Sequence, residues 1–259
     1  MSETRLSSEF AHLRNVVLAT VSAAALIMTA VSAVAAPPAA NSLPGNFSAS
    51  QPTTYTGGPN AATITTGAGN AVLQWGGSPL ANAVNNASIG TPNPGFSIGS
   101  GASLAISNGS AASSSVLVND LTGNPTQIYG ALDASGVSGP LYVANASGIV
   151  VGPTGNITAP TAGIGLIAYQ IPSAGYNGTI NVAPGTPGGS VSVQSGAVIK
   201  SHYILAAGAG NVNLTLVNSC TGNCSVSTYA LSGVSFKTNA GSVKPVLPPP
   251  PKIPHFPWW

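Results

Sequence analysis

The sequence predicts an all-β chain, wound as a single-stranded solenoid, on three grounds. From Ser113 to Tyr169, short β-prone runs (Val116–Val118, Gln127–Leu132, Leu141–Ala144, Ile149–Val151 and Gly165–Tyr169) alternate with clusters of Gly, Asn, Pro and Ser. Short runs bounded by turn residues read as strands. No Asn-Gly or Asp-Gly pair joins adjacent runs there, as a two-residue hairpin would require. Instead the runs recur about every eight to fourteen residues with corner-like punctuation, the rhythm of a chain laid down in coils. Charged residues make up only 4% of the 259. Exposed helical faces carry Glu, Lys and Arg, whereas an uncharged Ser, Thr and Asn surface suits sheets with small-residue turns.

The same composition bounds function. Apolar residues are 44% of the chain, and Val, Ile and Leu recur often enough to fill a narrow core, which argues against disorder in the middle of the chain. Beyond residue 35 the charges are Lys200, Lys237, Lys244 and Lys252 against Asp120 and Asp133. Dispersed lysines without arginine make no phosphate-binding patch, so nucleic acid is excluded as a partner. Catalysis needs converging acids, bases or metal ligands. Two isolated aspartates, His202 and His255 supply neither a catalytic constellation nor a metal site, and no cofactor motif is present. Asp120 reads as a turn residue and His202 as an exposed corner.

Residues 1–35 read as a secretory leader. A polar head with Arg5 and Arg14 precedes the uncharged run Val16–Val34, and Ala33-Val34-Ala35 fits a small-x-small cleavage pattern, with the cut after Ala35 or Ala36. An uncleaved anchor is the alternative, since such a run is long enough to span a bilayer. Export places the rest in an oxidising compartment. Cys220 and Cys224, separated by Thr221-Gly222-Asn223, then favour a local disulfide.

The body of the chain is 36–242. Ala61–Thr65 and Asn70–Trp75 are candidate strands, and 76–94, rich in Asn, Gly and Pro, reads as an inserted loop or flap. Trp75 and Phe96 read as core or end-cap packing. Gln170–Gly178 is a second loop candidate. Gly178–Val182, Gly189–Val193, Ala197–Ile199, Tyr203–Ala207 and Asn211–Val217 continue the strand rhythm. Open strand edges at the start of a solenoid need covering, and Leu43–Thr65 is the candidate cap. Stacked Asn145 and Asn156 are expected to ladder along the axis. The tail 243–259 is dense in proline, which favours extended polyproline conformation. It reads as solvated, or as an apolar anchor through Phe256, Trp258 and Trp259.

Three blocks in this body carry a family resemblance. Leu117-Val118-Asn119-Asp120-Leu121-Thr122-Gly123-Asn124-Pro125-Thr126-Gln127-Ile128-Tyr129-Gly130 is similar to an LNRVTGGNPSQIxGxL signature. Leu141-Tyr142-Val143-Ala144-Asn145-Ala146-Ser147-Gly148-Ile149-Val150-Val151-Gly152 is similar to VFLINPNGVxFG, and Asn156-Ile157-Thr158 with Ala162–Ala168 follow where A.VNVGGLVAST would stand. These are blocks of the filamentous-haemagglutinin-type domain of two-partner secretion proteins, which this chain resembles over most of Leu43 to Leu216. Weaker blocks agree: Ser42–Gly45, Ala71–Trp75, Gly95–Ile106 and Gly189–Ile199. Asn119-Asp120 replaces Asn-Arg, and Asn145-Ala146-Ser147-Gly148 replaces Asn-Pro-Asn-Gly, a weaker turn that keeps the glycine able to take positive φ.

The resemblance implies a right-handed parallel β-helix with an N-terminal cap and extra-helical loops. It also implies a job: recognition in the periplasm by the POTRA-type domains of an outer-membrane β-barrel transporter, then translocation to the cell surface, where such proteins serve as adhesins for a host or cell-surface ligand. Asn119, Asn124, Pro125, Gln127, Asn145, Gly148 and Gly152 match signature positions, either to contact the transporter or to build corners. The alternative is a free-standing surface or matrix adhesin that needs no transporter. A polysaccharide-lyase-type enzyme, which shares this fold, lacks the residues for it.

Overall fold

Side chains that alternate in and out along short runs can be satisfied only by sheets, and sheets are what the computed structural model contains. It describes residues 35–85, 92–109, 113–160, 162–182, 186–216, 225–230, 233–238 and 244–246; no helix occurs among them. The strands are β1 (Phe47–Ala49), β2 (Thr53–Gly57), β3 (Ala61–Thr66), β4 (Ala71–Trp75), β5 (Asn82–Val84) and β6 (Ser103–Asn108). Then come β7 (Val116–Asp120), β8 (Thr126–Ile128), β9 (Ala131–Gly136), β10 (Leu141–Ala144), β11 (Ile149–Val151), β12 (Asn156–Thr158) and β13 (Ile164–Ala168). The last are β14 (Val191–Val193), β15 (Val198–Lys200), β16 (Tyr203–Gly208), β17 (Asn211–Leu216), β18 (Ser225–Ala230), β19 (Gly233–Thr238) and β20 (Lys244–Val246).

Three sheets share these strands. The first has the order β20-β18-β16-β13-β10-β7-β4-β1-β5, the second β19-β17-β14-β11-β8, and the third β15-β12-β9-β6-β3-β2. From β7 to β15 the chain visits first, second and third sheet in strict rotation, each strand except β8, which starts the second sheet, pairing in parallel with the one laid down a lap earlier. From β16 onward it alternates between the first two sheets. Parallel neighbours cannot be joined by a tight turn, which is why hairpin dipeptides are missing between the runs.

Register gives the core. Ala71, Val116, Leu141, Ile164, Ile204 and Val226 stand one above the next on the inner face of the first sheet, and Leu73, Val118, Val143, Leu166 and Ala206 form a second inner row. Each fully buried branched side chain contributes about 1.5–3 kcal/mol, so these rows outweigh any polar contact on the outside. The long steps between Ala71 and Val116 and between Ile164 and Ile204 hold the two insertions.

Antiparallel pairs occur where the winding begins. β2 pairs antiparallel with β3 and ends the third sheet, while β1 pairs antiparallel with β4 and with β5, which ends the first. The cap is thus β1, β2 and β5. Ala61–Thr66, placed by the sequence within the cap, also pairs in parallel with β6 and is a winding strand. The flap expected over 76–94 supplies β5. Trp75 sits under this cap at 1% exposure, its ring 4.5 Å from Phe47 and 5.0 Å from Phe96 between centroids, its indole N–H donating to the Gly45 carbonyl at 3.0 Å.

Four further expectations change. Gln127–Leu132 is not one run but β8 and β9, broken by a corner at Tyr129-Gly130. No strand forms over 178–182; Ile180 and Val182 instead pack, half-buried, on the outside of the first sheet. Asn145 and Asn156 do not ladder: Asn156 is exposed and stands between Ala131 and Val198 in register, while Asn145 bonds to the lap beneath it. At the far end, β20 pairs with β18 inside the stretch read as tail, with Pro245 opposite Val226. Proline has no N–H to donate and is tolerated on such an edge.

Candidate functional site

The corner between the first and second sheets gathers most of the signature residues. Asp120 ends β7 with its side chain turned inward and 1% exposed. One carboxylate oxygen accepts the Thr122 amide (3.1 Å) and hydroxyl (2.7 Å), closing the turn predicted from sequence. The other accepts the Phe96 amide (2.9 Å) and the Thr126 hydroxyl (3.0 Å), tying three segments together. The chain then reverses through Gly123, at φ 84°, and Asn124.

One lap on, Asn145 donates through Nδ2 to the Asn124 carbonyl (2.7 Å) and to Thr126 Oγ1 (3.0 Å). Its own Oδ1 accepts the Ser147 amide (2.8 Å), and its carbonyl accepts the Gly148 amide (3.0 Å), so Asn145–Gly148 is a closed turn. Gly148 has φ 111°, and its carbonyl accepts the Thr126 amide at 3.0 Å. A valine there would combine a β-branched side chain with left-handed backbone, which costs about 1–3 kcal/mol, with its Cβ 3.1 Å from the Ser190 carbonyl. Gly148→Val is expected to lower the urea midpoint of unfolding, and an unchanged midpoint would mean that the turn is elsewhere.

The other signature residues are dispersed. Gly152 lies at the next corner, its position filled from below by the Tyr129 ring; a Cβ there would come within 2.4 Å of that ring. Gln127 is buried on β8, its main-chain N–H donating to Ser97 Oγ at 3.0 Å. Asn119 faces outward from the first sheet and is nevertheless fully buried. Its Nδ2 donates to the Ile171 carbonyl (2.9 Å) and Ser173 Oγ (2.7 Å), while among the described residues its Oδ1 accepts no hydrogen bond. Pro125 is half-buried and Asn124 exposed. Cys220 and Cys224, and the leader up to residue 34, lie outside the described residues.

Asn119 leads to a feature that strand rhythm did not reveal. Residues 170–182 cross the outside of the first sheet as a strap. Ile171, Tyr176, Ile180 and Val182 pack with the outward residues Val72, Leu117, Ala144, Ile167 and Ala207 of two neighbouring register rows. Polar ties fasten it: the Tyr176 hydroxyl to Ser115 Oγ (2.8 Å), and Asn70 Nδ2 to the Asn177 carbonyl (2.8 Å). Burial pushes the Tyr176 hydroxyl up to about 12, so it stays neutral through the ordinary pH range. The unusually apolar outward positions of β4, β7 and β13 were the available signal, because a sheet face open to water would have alternated with polar residues.

Scanned against family models and against curated proteins, the chain matches none. Among the described residues, no three of His, Cys, Asp and Glu gather as a metal would require. Asp133 is exposed on β9, its carboxylate accepting the Ser135 amide at 2.9 Å, and His202 is exposed.

Proposed function

We propose that this chain is an exported surface protein of filamentous-haemagglutinin type. Its sheets wind as a right-handed parallel β-helix, the hand that strand-to-strand crossovers take in about 98% of cases. The observation that carries the reading is the bond from Asn145 Nδ2 to the Asn124 carbonyl. It joins the first signature block to the second on successive laps, so residues at the signature's spacing meet as parts of one corner.

Most signature residues are buried once the chain has wound: Asn119, Gln127, Asn145, Gly148 and Gly152 all are. A transporter that reads them therefore meets the chain before it winds. The topology supports such an interval, because each pairing spans a whole lap and non-local pairing is slow. An unfolded, nearly uncharged strand-former can add to the edge of a receptor's sheet through backbone hydrogen bonds. Winding outside the cell then removes the unfolded chain from equilibrium and biases transit without ATP. The partner is an outer-membrane β-barrel with POTRA-type periplasmic domains, and the displayed product is an adhesin.

Co-expression with candidate transporters tests the proposal. Surface appearance should depend on one of them, and Asn124→Ala should reduce it several-fold while leaving the β-type circular dichroism intact. That side chain is exposed, and the corner uses only the main-chain oxygen of Asn124. Release without any transporter would replace this reading by a free-standing adhesin, and sugar cleavage by the purified protein would replace it by an enzyme.

A further inference from the structure

The strap leaves part of the outward face of the first sheet open around the exposed Tyr203. There a shallow open groove of about 210 Å³ runs across β10, β13, β16 and β18, lined by Pro140, Tyr142, Tyr203, Leu205, Ser225 and Ser227. Glycines make room for its rings. Tyr142, Gly165 and Leu205 are register partners, and a Cβ on Gly165 would meet the Tyr142 ring at 2.6 Å. A Cβ on Gly163 would stand 2.6 Å from the Tyr203 Cβ, at the foot of that side chain. Tyr203 is 57% exposed, the most exposed large apolar side chain among the described residues.

We propose that this groove is the docking site of the chain's own proline-rich segment, Leu247–Trp259. The lining carries no charge, and its volume falls below the roughly 300 Å³ at which small-molecule sites begin. Its chemistry, tyrosine faces with hydroxyls beside them, is that of surfaces that hold polyproline helices. The segment carries four consecutive prolines, Pro248–Pro251, with Pro254 and Pro257 following. It also starts in the right place. β20 lies beside β18, with Lys244 opposite Ser225 and Val246 opposite Ser227, so the segment leaves the sheet at the two serines of the groove. Tyr203 is two strand spacings away, about 10 Å. Thirteen residues at about 3.1 Å each reach about 40 Å in polyproline form. A preset helix also loses little conformational entropy on docking. The proposal is independent of the export reading, since it concerns the protein after winding.

Acrylamide quenching of tryptophan fluorescence in the purified protein tests it. Trp75 is 1% exposed, so quenchable emission reports Trp258 and Trp259. Docking predicts that these are shielded, and that Tyr203→Ala raises quenching several-fold with the β-type circular dichroism unchanged. Replacing Pro248–Pro251 by serine should do the same without touching the sheet. Tryptophans as open to quencher as in the free peptide would overturn the proposal. Shielding that survives Tyr203→Ala would place the segment elsewhere and also overturn it. Shielding lost on dilution would assign the groove to a neighbouring copy's segment rather than the chain's own.

Discussion

Asp120→Ala should lower the free energy of unfolding by about 3–5 kcal/mol, read as a fall in the urea midpoint at unchanged slope. The carboxylate accepts four hydrogen bonds, and no basic group is among its partners. Hydrogen bonds to a charged group are worth about 1.5–3 kcal/mol each, and a buried donor left without an acceptor costs about 1–3 kcal/mol. The Thr122 groups are half-exposed and can turn to water, so the loss concentrates on the buried Phe96 amide and Thr126 hydroxyl. The hydroxyl matters twice: it donates to Asp120 and accepts from Asn145, which in turn holds Asn124. Asp120→Asn, which keeps one acceptor oxygen, should lose about half as much. A loss below about 1 kcal/mol for the alanine variant would show that the carboxylate does not anchor this corner.

Gly130→Ala should be as damaging by a different route. Its Cβ would stand 2.4 Å from the carbonyl oxygens of both Gly99 and Ala102 and 2.6 Å from an Ile98 methyl. Those oxygens belong to backbone already committed: Gly99 accepts from Ala102, and Ala102 accepts from Ala131. Making room means prising one lap from the next, so overpacking here should cost about 3 kcal/mol or more, or prevent folding. Gly155 occupies the same corner one lap later, its Cβ position 2.4 Å from the Ile128 carbonyl. Gly58→Ala is the matched control, because nothing lies within 4 Å of its Cβ position; it should stay within about 0.5 kcal/mol of the parent. Equal urea midpoints for the two variants would contradict the close stacking at this corner.

These glycines show what the sequence revealed and what it hid. Gly148 was legible as a positive-φ position because it closes an Asn-led turn cluster, and its φ is 111°. Gly130 was not, since it takes no positive φ and lies inside a β-prone run; only the approach of the neighbouring lap makes it obligatory. Most strands of the coils were legible from Val, Ile and Leu runs, although 178–182 was read as a strand and forms none. Outward partners were not. Asn119 read as a signature turn residue, yet it anchors a strap more than fifty positions away, and periodicity carries no trace of what covers a sheet from outside. Asp120 read as a turn residue, which it is, while its second oxygen holds Phe96, which follows the 76–94 insertion.

The winding itself is tested by one distance. Thr63, Ala105, Asp133, Thr158 and Lys200 form an outward column on the third sheet, each in register with the next. Spin labels at Thr63 and Lys200, distant in sequence, should lie four strand spacings apart, about 19 Å, in a single narrow distribution by pulsed electron resonance. A broad distribution, or a separation beyond about 30 Å, would contradict a chain that lays each lap upon the last.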